Sequence, residues 1–89
     1  GVPVMRYFRV VLRCTPQDDA AMRGMLLQRL SAAGIHIAEV ASNTVEGGVE
    51  LVVSVNGDDG LEQLLQQVVL KIAAEPAVAR IRWMPSDEV

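Results

Sequence analysis

The chain has 89 residues, a net charge of −3 and 51% hydrophobic residues, with only three aromatic side chains. This length is that of one small domain, and the negative charge argues against general nucleic-acid binding. No apolar run approaches the roughly 18 residues of a membrane span. A single cysteine excludes an internal disulfide. We interpret residues 1–4 as a leading residue and linker, 5–84 as the domain and 85–89 as an acidic tail.

The first half of the chain predicts a strand, a helix and a second strand. Residues 6–14 alternate between apolar and mostly polar side chains, which is typical of a strand with one buried side. Thr15 and Pro16 favour a helix start, and an apolar stripe at helical spacing follows over residues 22–33. Gly34 provides a left-handed stop. In the next strand, Glu39 interrupts the inward parity of the apolar residues, which indicates a β-bulge.

The second half predicts a strand, a helix and a final strand. Gly47 and Gly48 turn the chain into a strand that alternates over residues 49–55. Residues 56–60 are turn-forming, and either Asp58 or Asp59 is a candidate cap for the next helix, whose apolar stripe spans residues 61–72. Pro76 ends that helix, and the last strand is predicted over residues 77–83. The βαββαβ order predicts an α+β, ferredoxin-like two-layer sandwich, with a four-stranded antiparallel sheet and both helices on one face.

The uncovered face of this sheet is the predicted interaction surface. Right-handed crossovers place the first and third strands in the centre, with the last strand beside the first. The outward residues that this arrangement brings together are Arg9, Val11, Arg13, Val52, Arg80 and Arg82. Two interpretations stay open: cross-strand ion pairing with Glu50, or a docking surface for an acidic protein, another copy of the domain or anionic lipid.

The residues that usually carry chemistry on this fold do not form a site. The loop at residues 15–19 has two aspartates and no glycine, so it would repel a phosphate. Cys14 is unpaired and predicted to be a core residue, and no nucleophile has a base to activate it. His36 has no ligand partner, and the adjacent aspartates at 18–19 and 58–59 are better explained as helix caps than as Mg²⁺ ligands. We therefore predict no enzyme, no metal site and no cofactor.

Three segments resemble a known family. The strand at residues 7–12 (YFRVVL), the helix at 25–30 (MLLQRL) and the ending at 75–83 (EPAVARIRW) are similar to the C-terminal cytoplasmic domain of the MgtC/SapB family of bacterial inner-membrane proteins. In element order the chain also resembles ACT domains, which are small regulatory modules that commonly bind amino acids between paired copies. ACT domains that bind amino acids have a glycine in the loop after the first strand, where this chain has Gln17 and Asp18.

The resemblance implies a parent protein with several N-terminal transmembrane helices, and this domain on the cytoplasmic side of the bacterial inner membrane. It also implies a link to growth in low magnesium and to survival inside host cells, and hence to virulence. Our first hypothesis is a non-catalytic regulatory or protein-interaction domain. Its partners would be other membrane proteins, its own transmembrane domain, a second copy in a homodimer, or anionic lipid headgroups. The alternative hypothesis is an ACT domain that senses a small ligand, either an amino acid or Mg²⁺.

Overall fold

The computed structural model describes residues 4–86, which form one four-stranded antiparallel sheet and two α-helices in the predicted order. The strands pair in the order β2-β3-β1-β4, so the first and third strands are central. The elements are β1 (Arg6–Cys14), α1 (Asp19–Ala32), β2 (His36–Val45), β3 (Gly48–Gly57), α2 (Leu61–Ala73) and β4 (Arg80–Pro85). The predicted α+β, ferredoxin-like sandwich is confirmed. Residues 1–3 of the predicted linker and 87–89 of the predicted tail lie outside the described residues, and the domain boundaries stay predictions.

Two predicted element starts are wrong by a few residues. A 3₁₀ turn over Pro16–Asp18 precedes α1, and Thr15 does not cap a backbone amide; its hydroxyl instead contacts the Asp18 carboxylate at 3.0 Å. The last strand begins at Arg80 rather than at residue 77. The Val78 amide first donates to the Glu75 carbonyl in a turn, because the chain must still reverse after α2 before it can pair with β1.

Two predicted breaks in regular structure are confirmed. Gly34 has a φ of +81°, and the amide of Ile35 reaches back to the Leu30 carbonyl at 3.0 Å, which closes α1 in the manner of a Schellman motif. The register of β2 against β3 shifts between Ile37 and Glu39, as expected for a bulge at Ala38. Beyond the bulge, the apolar Val40 again points to the core side of the sheet, opposite the inward Val53.

The hydrophobic core lies between the helices and one face of the sheet. Inward residues of β1 and β3 meet Leu26 and Leu30 of α1 and Leu65 and Ile72 of α2, all four of which are fully buried. Phe8 contacts Trp83 of β4 edge-to-face, with ring centroids 5.4 Å apart. Of the five residues predicted to form the apolar stripe of α2, Leu61, Leu65, Val68 and Ile72 are buried and Leu64 is 39% exposed. No helix within residues 4–86 is long and apolar enough to cross a membrane.

Candidate functional site

The six residues predicted as an interaction surface lie together on the sheet face that points away from the helices; we call this the open face. Val11 of β1 stands directly between Val52 of β3 and Arg82 of β4. One row along, Arg13 stands between Glu50 and Arg80. The other neighbouring row places Arg9 between Ser54 and Met84. Because residues opposite each other in an antiparallel sheet share a face, the register alone brings these side chains together.

The centre of the open face is apolar and already well sealed. Val11 is only 7% exposed, although it lies outside the core cluster that packs under the helices. Val52 and Ala41, which continue the same row across β3 and β2, are half-buried. Both helices pack on the other face, so the side chains of the open face itself must cover Val11. Long arginine stems beside a valine provide such cover while their guanidinium groups stay in water.

The charges of the open face are divided between its two halves. The β1/β4 half carries four arginines, and the β2/β3 half carries Glu39 and Glu50. Arg80 and Arg82 are exposed, and Arg13 donates a hydrogen bond to the carbonyl oxygen of Glu46 in the β2–β3 turn. The predicted alternative, cross-strand pairing of Glu50, is not formed with Arg13. Among the described residues, the ion pairs are Arg6–Asp59, Arg23–Asp19 and Arg29–Glu75, all away from this face.

The two aspartate-containing loops are held by contacts within the chain. Asp18 accepts the Thr15 hydroxyl at 3.0 Å, and Asp19 contacts Arg23 at 3.2 Å. In the second loop, Asp58 accepts the Gly60 amide at 2.9 Å just before α2. Gly60 is the N-cap residue of this helix and no side chain caps it, so the predicted capping of α2 by Asp58 or Asp59 is wrong. Asp59 pairs with Arg6. No group of three or more potential metal-ligating side chains occurs within residues 4–86.

Cys14 lies in the core, as the sequence predicted. Cys14 is 2% exposed and belongs to the core cluster. Burial raises the pKa of its thiol, and the negative charges of Asp19 and Asp18 add to that shift. A raised pKa leaves the thiol protonated and poorly nucleophilic at neutral pH. His36 begins the edge strand β2 and is exposed.

The sequence analysis did not identify a polar groove at one end of the open face. Tyr7, Ser54 and Asn56 line a groove of about 230 Å³ beside the β2 bulge, with Glu39 on its far side. Their outward parity on β1 and β3 was available in the sequence. Glu39 belongs to this group because of the bulge. The extra residue turns Glu39 to the open face, where it lies opposite Ser54.

The arrangement of strands and helices defines a class of protein. A four-stranded antiparallel sheet ordered β2-β3-β1-β4 with two helices is the ferredoxin-like, ACT-like fold. The crystal structure of the ACT domain from GTP pyrophosphokinase of Chlorobium tepidum superimposes with a TM-score of 0.62 and 13% identity, covering 93% of this chain and all of that one. Likeness at this identity shows the fold alone.

The family follows from the sequence. The profile described as the MGTC/SAPB C-terminal domain matches residues 8–83, so the chain belongs to this family. MgtC of Brucella abortus (strain 2308) is 29% identical over 83 residues, which is 91% of this chain and 34% of that protein. The chain therefore spans about a third of the length of the curated relatives it matches. The solution structure of the C-terminal domain of MgtC from Mycobacterium tuberculosis superimposes with a TM-score of 0.79 and 17% identity, covering 93% of this chain and 89% of that one.

Proposed function

We propose that this domain is a non-catalytic regulatory or protein-interaction module of an MgtC-like membrane protein, and that it acts through the open face. In this proposal the parent protein lies in the bacterial inner membrane with the domain on the cytoplasmic side. The roles in growth at low magnesium and in survival inside host cells belong to the parent protein. The domain contributes by binding a partner, either another protein or part of its own assembly.

One observation carries the proposal. Arg80 and Arg82 are exposed side by side on the open face, next to the apolar row of Val11 and Val52, and neither makes an ion pair within residues 4–86. A guanidinium group offers five donors in a planar fork that suits carboxylates and phosphates. Two such groups near the half-buried Val52 therefore present both polar and apolar contacts of a binding surface.

The alternative function, sensing of an amino acid or Mg²⁺, has less support. It would use the loops at residues 15–19 or 56–60, where Asp18, Asp19, Asp58 and Asp59 each contact a group of this chain. A ligand would have to displace those contacts. A ¹H–¹⁵N NMR titration with Mg²⁺ and then with a panel of amino acids tests this alternative. Saturable shifts confined to those loops would favour sensing over interaction.

The proposal is tested by site-specific photocrosslinking in bacteria that produce the full-length protein. A photoreactive residue replaces Arg82 or Val52 on the open face, and Leu70 serves as the control, since it is 73% exposed on α2. We expect crosslinks to a defined protein, either another protein or part of the same assembly, identified by mass spectrometry, from positions 82 and 52 but not from 70.

A second variant checks the role of the arginines. Changing Arg80 and Arg82 to Ser should weaken the crosslink from position 52 while leaving the amount of protein unchanged. Equal crosslinking from positions 70 and 82, or a crosslink from 52 that is unaffected by the double change, would contradict the proposal.

A further inference from the structure

We infer that the polar groove at the end of the open face binds a primary alkylammonium group, carried either by a free amine or by a lysine side chain of a docked partner. The inference goes beyond the proposed function, because it uses neither Arg80 nor Arg82 and does not require that a protein docks on the open face. Three features carry it: the shape of the groove, its unpaired polar side chains and the sign of its charge.

The groove has its floor on β3 and its walls on the two neighbouring strands. Ser54 and Asn56 of β3 form the floor. Tyr7 of β1, opposite Asn56, forms one wall, and Glu39 of β2, opposite Ser54, forms the other. Neighbouring strands are spaced by about 4.8 Å, so the backbones of β1 and β2 lie roughly 10 Å apart. That width suits one unbranched alkyl chain, and the volume of about 230 Å³ is below that of pockets for drug-sized ligands.

The bulge in β2 gives the groove its acidic wall. Ala38 has no partner on β3, because the register passes from Ile37–Val55 to Glu39–Ser54. In an unbroken strand Glu39 would share the core side with Ile37, two positions before it. Bulges occur next to active sites, where they redirect a side chain. Here the redirected side chain is the only charged one among the described residues that line the groove.

The polar side chains of the groove are unpaired within the domain. Tyr7, Glu39, Ser54 and Asn56 make no side-chain hydrogen bond or ion pair with any residue in 4–86. All but Glu39 are half-buried. Polar groups that leave water usually gain a partner in the fold, so the hydrogen-bonding capacity of this groove is left for water or for a ligand.

An ammonium group matches these side chains in number and in charge. It has three N–H donors and no acceptor. The Glu39 carboxylate, the Ser54 hydroxyl and the Asn56 amide oxygen offer an acceptor for each donor, and the Tyr7 ring offers a cation–π contact. Glu39 would repel a phosphate or a carboxylate. A metal ion would find a single carboxylate, and no group of three potential metal ligands occurs within residues 4–86.

The same chemistry distinguishes this groove from an amino-acid site. A free amino acid brings a carboxylate together with its ammonium group. No described side chain that lines the groove is a cation, so nothing there would neutralise that carboxylate. We therefore expect a simple alkylamine to bind and glycine not to bind.

A ¹H–¹⁵N NMR titration of the 89-residue chain with n-butylammonium chloride at pH 7 tests the inference, with the ionic strength held constant by NaCl. n-Butanol, a neutral molecule of similar shape, and glycine are the control ligands. We expect saturable shifts at the amides of residues 38, 39, 54 and 56. The Kd should be on the order of 1–10 mM, because the ligand is small and the groove is open to water. The control ligands should bind at least about tenfold more weakly.

Two matched pairs of variants identify the groups that bind. Glu39→Gln should weaken n-butylammonium binding by more than about tenfold. Glu62→Gln removes the same charge from the exposed first turn of α2 and should leave the Kd unchanged. Tyr7→Leu should weaken binding about twofold to fivefold, whereas Tyr7→Phe keeps the ring and should bind like the unchanged chain. The amide spectrum of each variant reports its folding directly.

Three results would each overturn the inference. The first is a set of shifts that spreads over the surface without saturating. The second is equal binding of n-butanol and n-butylammonium. The third is an equal loss of binding in Glu39→Gln and Glu62→Gln, since a general effect of net charge would then explain it.

Photocrosslinking of the full-length protein separates the two sources of the ammonium group. If a lysine of a docked partner fills the groove, Glu39→Gln should weaken the crosslink from position 52, and Nα-acetyl-lysine N-methylamide should bind the chain at least as well as n-butylammonium. If a free amine fills it, the crosslink should be unaffected by Glu39→Gln while n-butylammonium binding is still lost. Both results support the inference.

The inference and the proposed function can fail separately. Crosslinks from positions 52 and 82 without saturable binding of n-butylammonium would leave the proposed function standing and overturn the inference. Saturable binding that depends on Glu39, with no more crosslinking from positions 52 and 82 than from position 70, would support the inference and contradict the proposed function.

Discussion

Val10 and Val11 provide a direct test of which face of the sheet is core. They are neighbours in β1 and are almost equally buried, at 0% and 7% exposure, but they point to opposite faces. Replacing either with Thr exchanges a methyl group for a hydroxyl of nearly the same size. In Val10→Thr the hydroxyl lies among Leu and Val side chains of the core cluster, where it should cost about 1–3 kcal/mol of unfolding free energy.

In Val11→Thr the hydroxyl lies on the open face, where Arg82 is its cross-strand neighbour and offers guanidinium donors. Its hydrogen-bonding needs can be met there, so the expected cost is below about 1 kcal/mol. Urea unfolding measures both values, and equal m-values confirm that the comparison is valid. If the two variants lose the same stability within about 0.5 kcal/mol, burial alone governs the cost, and the distinction between core and open face is wrong.

Further predictions concern Cys14, two glycines and the exposed arginines. Burial raises the pKa of Cys14 above its ordinary value of 9.0, so the unfolded chain loses this proton at a lower pH than the folded chain. This contribution to stability is therefore full well below pH 9 and is lost as the pH rises through 9, and Cys14→Ala should abolish that fall in a pH series of urea unfolding curves. Gly48→Ala places a Cβ 2.7 Å from the Cys14 carbonyl oxygen, whereas Gly34→Ala meets only backbone strain at a φ of +81°. Urea unfolding should therefore show a greater loss for Gly48→Ala than the roughly 1–2 kcal/mol expected of Gly34→Ala; an equal or smaller loss would contradict the packing around Gly48. Arg80→Ser with Arg82→Ser should change the unfolding free energy by less than about 0.5 kcal/mol, and a larger loss would mean that these side chains hold the fold.

Most of the fold could be predicted from local sequence signals. Several signals depend only on residues close in sequence: the apolar–polar alternation in β1 and β3, the apolar stripes of the helices and the helix stop at Gly34. The break in alternation that indicates the bulge is of the same kind. The errors occur where local signals compete. Thr15 was a plausible helix cap, but its hydroxyl donates a hydrogen bond to the Asp18 carboxylate instead of accepting one from a backbone amide. The chain forms a 3₁₀ turn before α1 begins. Val78 was plausible in a strand, but it lies in a turn after α2.

The candidate site was predictable in its members but not in its contacts. Parity on β1, β3 and β4 is enough to place the four arginines and two valines on one face, because strand order follows from connection handedness. Parity does not give distances. It left open whether Glu50 neutralises Arg13, and it gave no reason to connect Glu39 with Tyr7 and Ser54 across a bulge.

The sequence by itself determined the elements, their order, the fold class, the family and the residues on each side of the sheet. All of these depend on short-range periodicity and steric rules, or on recognisable segments such as residues 75–83. Only the tertiary structure decided the register, and with it the rows that place Val11 beside Val52 and Glu50 beside Arg13. Only the tertiary structure showed that Glu39 and Glu50 form no ion pair with Arg13, Arg80 or Arg82 within residues 4–86, because side-chain pairing depends on packing between distant segments.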